Sequence, residues 1–150
     1  MAFRFRLARV LEWYDRLYHL EAGRLKQCAE RAAAANAELA RHRESRLLSE
    51  NQILSLHYLS GKDLEARESF RKQSALQEAR LIQVSNAADK NLREQQSATL
   101  AAQRKVRLVE KLRDRRRDEF EYLAGRELEE LAADSWLAGF ARSLGEADHS

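Results

Sequence analysis

Leu59-Ser60-Gly61-Lys62-Asp63 is the stretch on which the fold of this chain depends. A long helical pattern stops before it, and a longer one starts after it. Gly61 is the one residue between Gly23 and Gly125 that can take a left-handed turn conformation without steric cost. Ser60 and Asp63 are both natural helix N-caps. Asp63 is the better candidate, since Glu65 would then sit in the first turn beside the positive end of the helix dipole. The stretch predicts the bend of an antiparallel helical hairpin. Its arms span 4–58 and 63–144, with the bend at 59–62, in one domain that covers residues 1–150.

Composition narrows the alternatives. The chain has 150 residues, no proline and five glycines, so nothing punctuates it often enough for a sheet protein. Charged residues make up 34% and aromatic residues 7%, a mix that suits an elongated coiled coil with a single seam to bury. The net charge of +3 is too small a bias to imply nucleic acid. A single cysteine, Cys28, excludes an intramolecular disulfide and fits a reducing compartment. No apolar run approaches the roughly 18–20 residues of a membrane span, and no secretory signal is visible. The expectation is a soluble, cytoplasmic protein without direct membrane insertion. The fold class is all-α, two long helices in an antiparallel coiled-coil hairpin, the second longer than the first.

In the first arm, steps of four and three residues join Leu7, Leu11, Tyr14, Tyr18, Leu25, Cys28, Ala32, Ala35, Leu39, Ile53 and Leu56 into a heptad seam. Glu21, His42, Arg46 and Ser49 interrupt it, which predicts drift of the packing toward Val10, Leu17, Leu47 and Leu48. Small residues at Ala32 to Ala35 would let the helices approach closely. Cys28 on this seam reads as a small buried apolar residue.

The second arm offers a fainter seam of Phe70, Leu81, Val84, Ala88, Ala98, Ala102, Val109, Leu112 and Leu123, broken by Ser74, Gln77, Asn91 and Gln95. Folding about Gly61 pairs residues whose numbers sum to about 122, as an antiparallel hairpin requires. Leu39 then lands by Val84, Leu25 by Ala98 and Leu11 by Leu112. The first arm runs out opposite position 120 or so, while the helical pattern continues through Leu128, Leu131, Trp136, Leu137, Phe140 and Leu144. About 25 residues of helix would extend beyond their partner by some 35–40 Å. An exposed apolar stripe of this kind marks an interaction surface, unless Gly125 or Gly139 breaks the helix and the tail packs back. The bend is also richer in apolar side chains than a solvated turn requires, with Leu54, Tyr58, Leu59, Leu64 and Phe70.

The run Arg113-Asp114-Arg115-Arg116-Arg117-Asp118 has the charge of a nucleic-acid contact but not its spacing. Glu110 can reach Arg113, Asp114 can reach Arg117, Arg115 can reach Glu119 and Arg117 can reach Glu121. No aromatic platform is interleaved, so the run reads as a solvated helix face and nucleic acid is not an expected partner. Gly61-Lys62 lacks the preceding glycine, the following Ser/Thr and the strand of a phosphate loop. His19, His42, His57 and His149 share no metal-ligand spacing. No catalytic, cofactor-binding or metal-ligating set emerges, and the expectation is a protein that is not an enzyme and carries no cofactor.

The ends of the chain carry a resemblance. Phe3-Arg4-Phe5-Arg6-Leu7-Ala8-Arg9-Val10-Leu11 resembles the "FxFxLxxVL" opening of the FliJ family, the small coiled-coil component of the bacterial flagellar type III export apparatus. Val106 to Arg142 resembles that family's charged second helix and its tail, through Glu110-Lys111-Leu112, Arg116-Arg117, Glu119-Phe120-Glu121-Tyr122 and Glu127 to Asp134. Trp13-Tyr14-Asp15 departs from the family's arginine-bearing polar stretch, and Ala133-Asp134-Ser135-Trp136 replaces its more usual "DE" pair.

The resemblance implies a non-enzymatic stalk that enters the ring of the flagellar export ATPase hexamer. It would link that ring to the cytoplasmic domain of the export-gate membrane protein, and would escort export chaperones. The site of action would be the cytoplasmic face of the inner membrane, held peripherally. By that analogy the ATPase contacts would be Arg113, Arg116, Arg117, Leu131, Trp136, Leu137 and Phe140. The export-gate contacts would be Leu54, Tyr58, Leu59 and Phe70. The related injectisome stalk and a generic coiled coil that self-associates through its overhang fit the same features.

Overall fold

The computed structural model describes residues 2–56 and 58–149. His57, one of the four histidines considered above, lies outside them. The described residues form two α-helices, α1 (Ala8–Leu54) and α2 (Gly61–Asp148), and no strand. At 47 and 88 residues they form a helical hairpin whose second arm is the longer.

The connection differs from its expected form. Gly61 is already helical, and no described residue has a positive φ, so the left-handed turn expected at Gly61 does not form. Ser60, not Asp63, is the cap. The Asp63 amide donates to Ser60 Oγ at 3.2 Å, and the Ser60 amide donates to Asp63 Oδ2 at 3.0 Å. This reciprocal capping box has Asp in the place usually taken by Glu. The Leu64 amide then makes the first helical bond to the Ser60 carbonyl at 3.1 Å. Hydrogen bonding from the Ser60 backbone, then from its side chain, lowers the Asp63 carboxyl below its ordinary range. α1 ends at Leu54 and α2 starts at Gly61, so the connection begins ahead of the expected 59–62. Leu56, expected on the first seam, is beyond the end of α1 and exposed.

The other boundaries also move. Residues 4–7 are not helical; the Ala8 amide donates to the Phe5 carbonyl at 3.2 Å as the chain enters α1. At its far end α1 closes with the Ser55 hydroxyl donating to the Gln52 carbonyl at 2.7 Å. Gly125, Gly139 and Gly145 lie inside α2, which runs unbroken to Asp148. No break forms at these glycines because the helical conformation is open to glycine, at a propensity cost of about 1 kcal/mol per residue that flanking good helix formers offset.

Contacts within the chain divide it into two units, 16–103 and a second made of 1–15 with 104–150. In the first unit the expected α1 seam is the inward face, and so are its polar members. Ala32 and Ala35 are buried, and Tyr18, Leu25, Cys28 and Leu39 are half-buried, as are Glu21, His42, Arg46 and Ser49. Of the residues expected to take up drift, Leu17 is half-buried, but Leu47 and Leu48 are exposed. Glu21, His42 and Arg46 have partners that make their burial tolerable, although Arg46 Nε itself makes no hydrogen bond. The Gln95 amide donates to the Glu21 carboxylate and carbonyl, and the Thr99 hydroxyl lies 3.2 Å from the same carbonyl. His42 Nε2 is 3.2 Å from the Ser74 carbonyl, which can only accept, so this nitrogen carries the proton. Glu78 holds Arg43 at 3.0 Å and Arg46 at 2.5 Å.

On α2 the inward face keeps Ser74, Leu81, Ala88, Gln95 and Ala102 from the expected seam and its polar interruptions, and moves by one position at others. Ser74, Leu81, Ser85 and Thr99 are buried, while Val84 is 54% exposed and Gln77, Asn91 and Ala98 are exposed. Ser85 donates its hydroxyl proton to the Asn36 side-chain carbonyl, and the Asn36 amide donates to Asp89 at 3.4 Å. Apolar periodicity missed Ser85 and Thr99, because at those positions the seam of α2 is built from small polar residues. Small side chains on both helices allow close approach, and their hydrogen bonds fix register.

Candidate protein-interaction surfaces

The unit made of 1–15 and 104–150 contains the N-terminal segment, the basic run and the end of α2. Val106 is buried, and Leu11, Tyr14, Val109 and Leu112 are half-buried. The non-helical segment lies against α2 through Phe3, whose ring is 5.7 Å from that of Phe120 and tilted by 48°. Between the segment and the helix opens a cleft of about 680 Å³. Phe3, Phe5, Leu7, Leu112, Phe120 and Leu123 form its apolar wall, and Arg4, Arg6, Arg116 and Glu119 its polar rim. The alternation of Phe with Arg at positions 3–6 thus puts aromatic and cationic groups at one opening.

The basic run is less evenly paired than its spacing suggested. Arg113 Nε lies 3.2 Å from Asp114, and Arg117 lies 3.5 Å from the same carboxylate. Among the described residues these are the ion pairs made by the run, and those expected with Glu110, Glu119 and Glu121 do not form. Arg113 is half-buried, Arg117 is exposed and Arg116 lines the cleft. Surface pairs of this kind add little stability, about 0–1 kcal/mol, so the guanidinium groups remain available to a partner.

Beyond Gly125 every described residue is exposed. Leu128, Leu131, Leu137 and Leu144 are all more than half exposed; Trp136 is 66% exposed and Phe140 50%. Trp136 and Phe140 stack on one another, with ring centroids 5.4 Å apart and planes 7° from parallel. That spacing of four residues puts both rings on one side of the helix. The seven overhang and basic-run residues predicted as ATPase contacts therefore lie on one unit. The four apolar ones share its uncovered end.

The candidate gate-contact residues belong to the other unit. Tyr58 is 87% exposed and Leu54 is exposed, Leu59 is half-buried, and Phe70 is exposed on α2. Phe70 lies off the inward face, contrary to its place in the expected seam. The cleft beside the N-terminal segment was not legible in the sequence as a surface, although the Phe-Arg alternation marks its residues.

Among the described residues no cluster of three or more His, Cys, Asp or Glu side chains could hold a metal ion. Among the described residues no helix is long and apolar enough to cross a membrane. No family model, curated protein or solved structure matches the chain.

Proposed function

We propose that this protein is a non-enzymatic stalk and escort component of the flagellar type III export apparatus. In this reading it inserts into the export ATPase ring and links that ring to the export gate at the cytoplasmic face of the inner membrane. The reading rests on the resemblance of the chain's two ends to the FliJ family. The observation that carries it furthest is the end of α2, where an unbroken helix presents Leu131, Trp136, Leu137 and Phe140 to solvent. A monomer gains nothing from such a surface, whereas burial in a partner would release apolar area at about 25 cal/mol per Å² before the costs of association. Arg113, Arg116 and Arg117 stand on the same unit and would add a salt-sensitive component, because exposed charges are screened beyond about 8 Å at physiological ionic strength. Leu54, Tyr58, Leu59 and Phe70 are the proposed gate contacts, and export chaperones are further partners.

The test compares the full chain with one ending at Leu123, by pull-down on a purified flagellar export ATPase and by its ATPase rate at low and moderate salt. The shortened chain should keep its helical hairpin but lose binding and stimulation. Undiminished stimulation would move the ATPase contact away from the end of α2.

A further inference from the structure

One face of α2 carries a line of residues at alternating steps of four and three that, past the half-buried Leu112, is exposed throughout. It begins in the cleft with Leu112, Arg116, Glu119 and Leu123, and passes through Arg126 and Glu130. It ends with Ala133, Leu137, Phe140 and Leu144. All ten positions lie in one unbroken helix, so this spacing holds them on a single stripe. The stripe lies beside the face of Val106, Val109 and Phe120 that turns inward, not on it.

The line is complementary to itself when reversed. Laid antiparallel about Leu128, with a two-fold axis there, it sets Leu112 against Leu144 and Leu123 against Ala133 of the second copy. Arg116 meets Phe140, a cation over an aromatic face. At the centre Arg126 of each copy meets Glu130 of the other, so two opposite-charge pairs form by symmetry. Within one chain these two side chains are 3.9 Å apart and 59% and 70% exposed, free to turn to a neighbour. The cleft beside Phe3 and Phe5 is where the second copy's Phe140 would arrive.

We infer that the free protein forms an antiparallel dimer through residues 112–144 of α2, burying the end of the helix in the cleft of a second copy. Contact over this stretch would run roughly 48 Å at 1.5 Å per residue. Glu127 of each copy faces Glu129 of the other at the centre, and Glu119 faces Leu137; the like-charge contact and this mismatch keep the dimer weak. The dimer covers Leu137 and Phe140, so a partner that needs those residues must displace the second copy.

Sedimentation equilibrium of the full chain over a concentration series tests this without any other protein, so the outcome does not depend on the stalk reading. The expected result is a monomer–dimer equilibrium. Glu130→Arg should weaken it roughly tenfold through like-charge contact with Arg126, and adding Arg126→Glu should restore it. Circular dichroism of both variants should match the parent, since the two side chains are exposed. Disulfide trapping in a Cys28→Ala background fixes the direction. Leu123→Cys mixed with Ala133→Cys should cross-link between chains, while Ala133→Cys alone should not. A monomer at every concentration, failure of the double reversal to restore dimer, or efficient linking of position 133 to itself would each overturn the inference.

Discussion

The paired part of the hairpin, within 16–103, and the end of α2 beyond Gly125 use opposite materials. The first buries alanine, serine and threonine at its seam, with Leu81 the one large side chain among its buried residues. The second holds tryptophan, phenylalanine and leucine in water. In a two-helix seam each residue meets only one neighbouring helix, so close approach and satisfied hydrogen bonds count for more than apolar volume. The end of α2 has no helix to approach, and its large side chains contribute nothing to the fold that holds them. The contrast teaches that in this chain the most apolar segment is not the core. Stability is concentrated where the sequence looks polar, and recognition where it looks like a core.

The most severe way to break that comparison is to put bulk into the seam. Ala32→Leu should destabilise the protein by about 1–3 kcal/mol, because Ala32 is only 4% exposed and three more carbons would overpack a seam of small side chains. Thermal unfolding followed by circular dichroism measures it. A change indistinguishable from zero would show that the helices do not approach closely there.

Acid should also separate the two regions. The hydrogen bond from Arg43 holds the Glu78 carboxyl below its ordinary range; burial opposes the shift, and the charges of Arg46, Arg43 and His42 support it. A carboxyl depressed in the folded state stabilises it above the unfolded pKa, and that contribution is lost as pH falls through the folded value. The parent should therefore lose melting temperature on the acid side, and Glu78→Gln should show a shallower loss. Identical acid limbs would remove Glu78 from the account of the seam.

A smaller effect, of opposite sign, is expected at the turn. Gly61 has an ordinary helical conformation, and a Cβ placed there meets nothing within 4 Å. Gly61→Ala should then stabilise by about 0.4–1 kcal/mol, chiefly by restricting the unfolded chain. Loss of stability would restore the left-handed turn that the isolated sequence suggests.

Least of all should happen at the exposed end. Leu131→Ser with Leu137→Ser should change unfolding free energy by less than about 0.5 kcal/mol per site, as for surface positions elsewhere. A larger loss would mean that these side chains pack within the monomer, and would erase the contrast between the two regions.

Helix content and the existence of two arms of unequal length were legible in the sequence. Absence of proline, few glycines and a three-four spacing from Leu11 to Ile53 leave no competing structure. The α1 seam was legible down to its polar members, because apolar residues on both sides of Glu21 and His42 hold the register through them. The exposed end of α2 was legible by simple length, since α1 has no residues left to cover it.

Tertiary structure decided the rest. The inward face of α2 turns on Ser74, Ser85 and Thr99, residues whose hydropathy gives no direction, and only the carbonyl and amide groups across the seam select them. Ser60 won the cap over Asp63 because the two side chains bond each other's amides, a reciprocal fit that a ranking of single residues does not contain. The cleft of Phe3, Phe5 and Phe120 joins segments more than a hundred residues apart. Sequence alone sets which stretches become helix, because that is a matter of local conformational energy. Which faces meet is settled by partners that are distant in the chain and become neighbours only on folding.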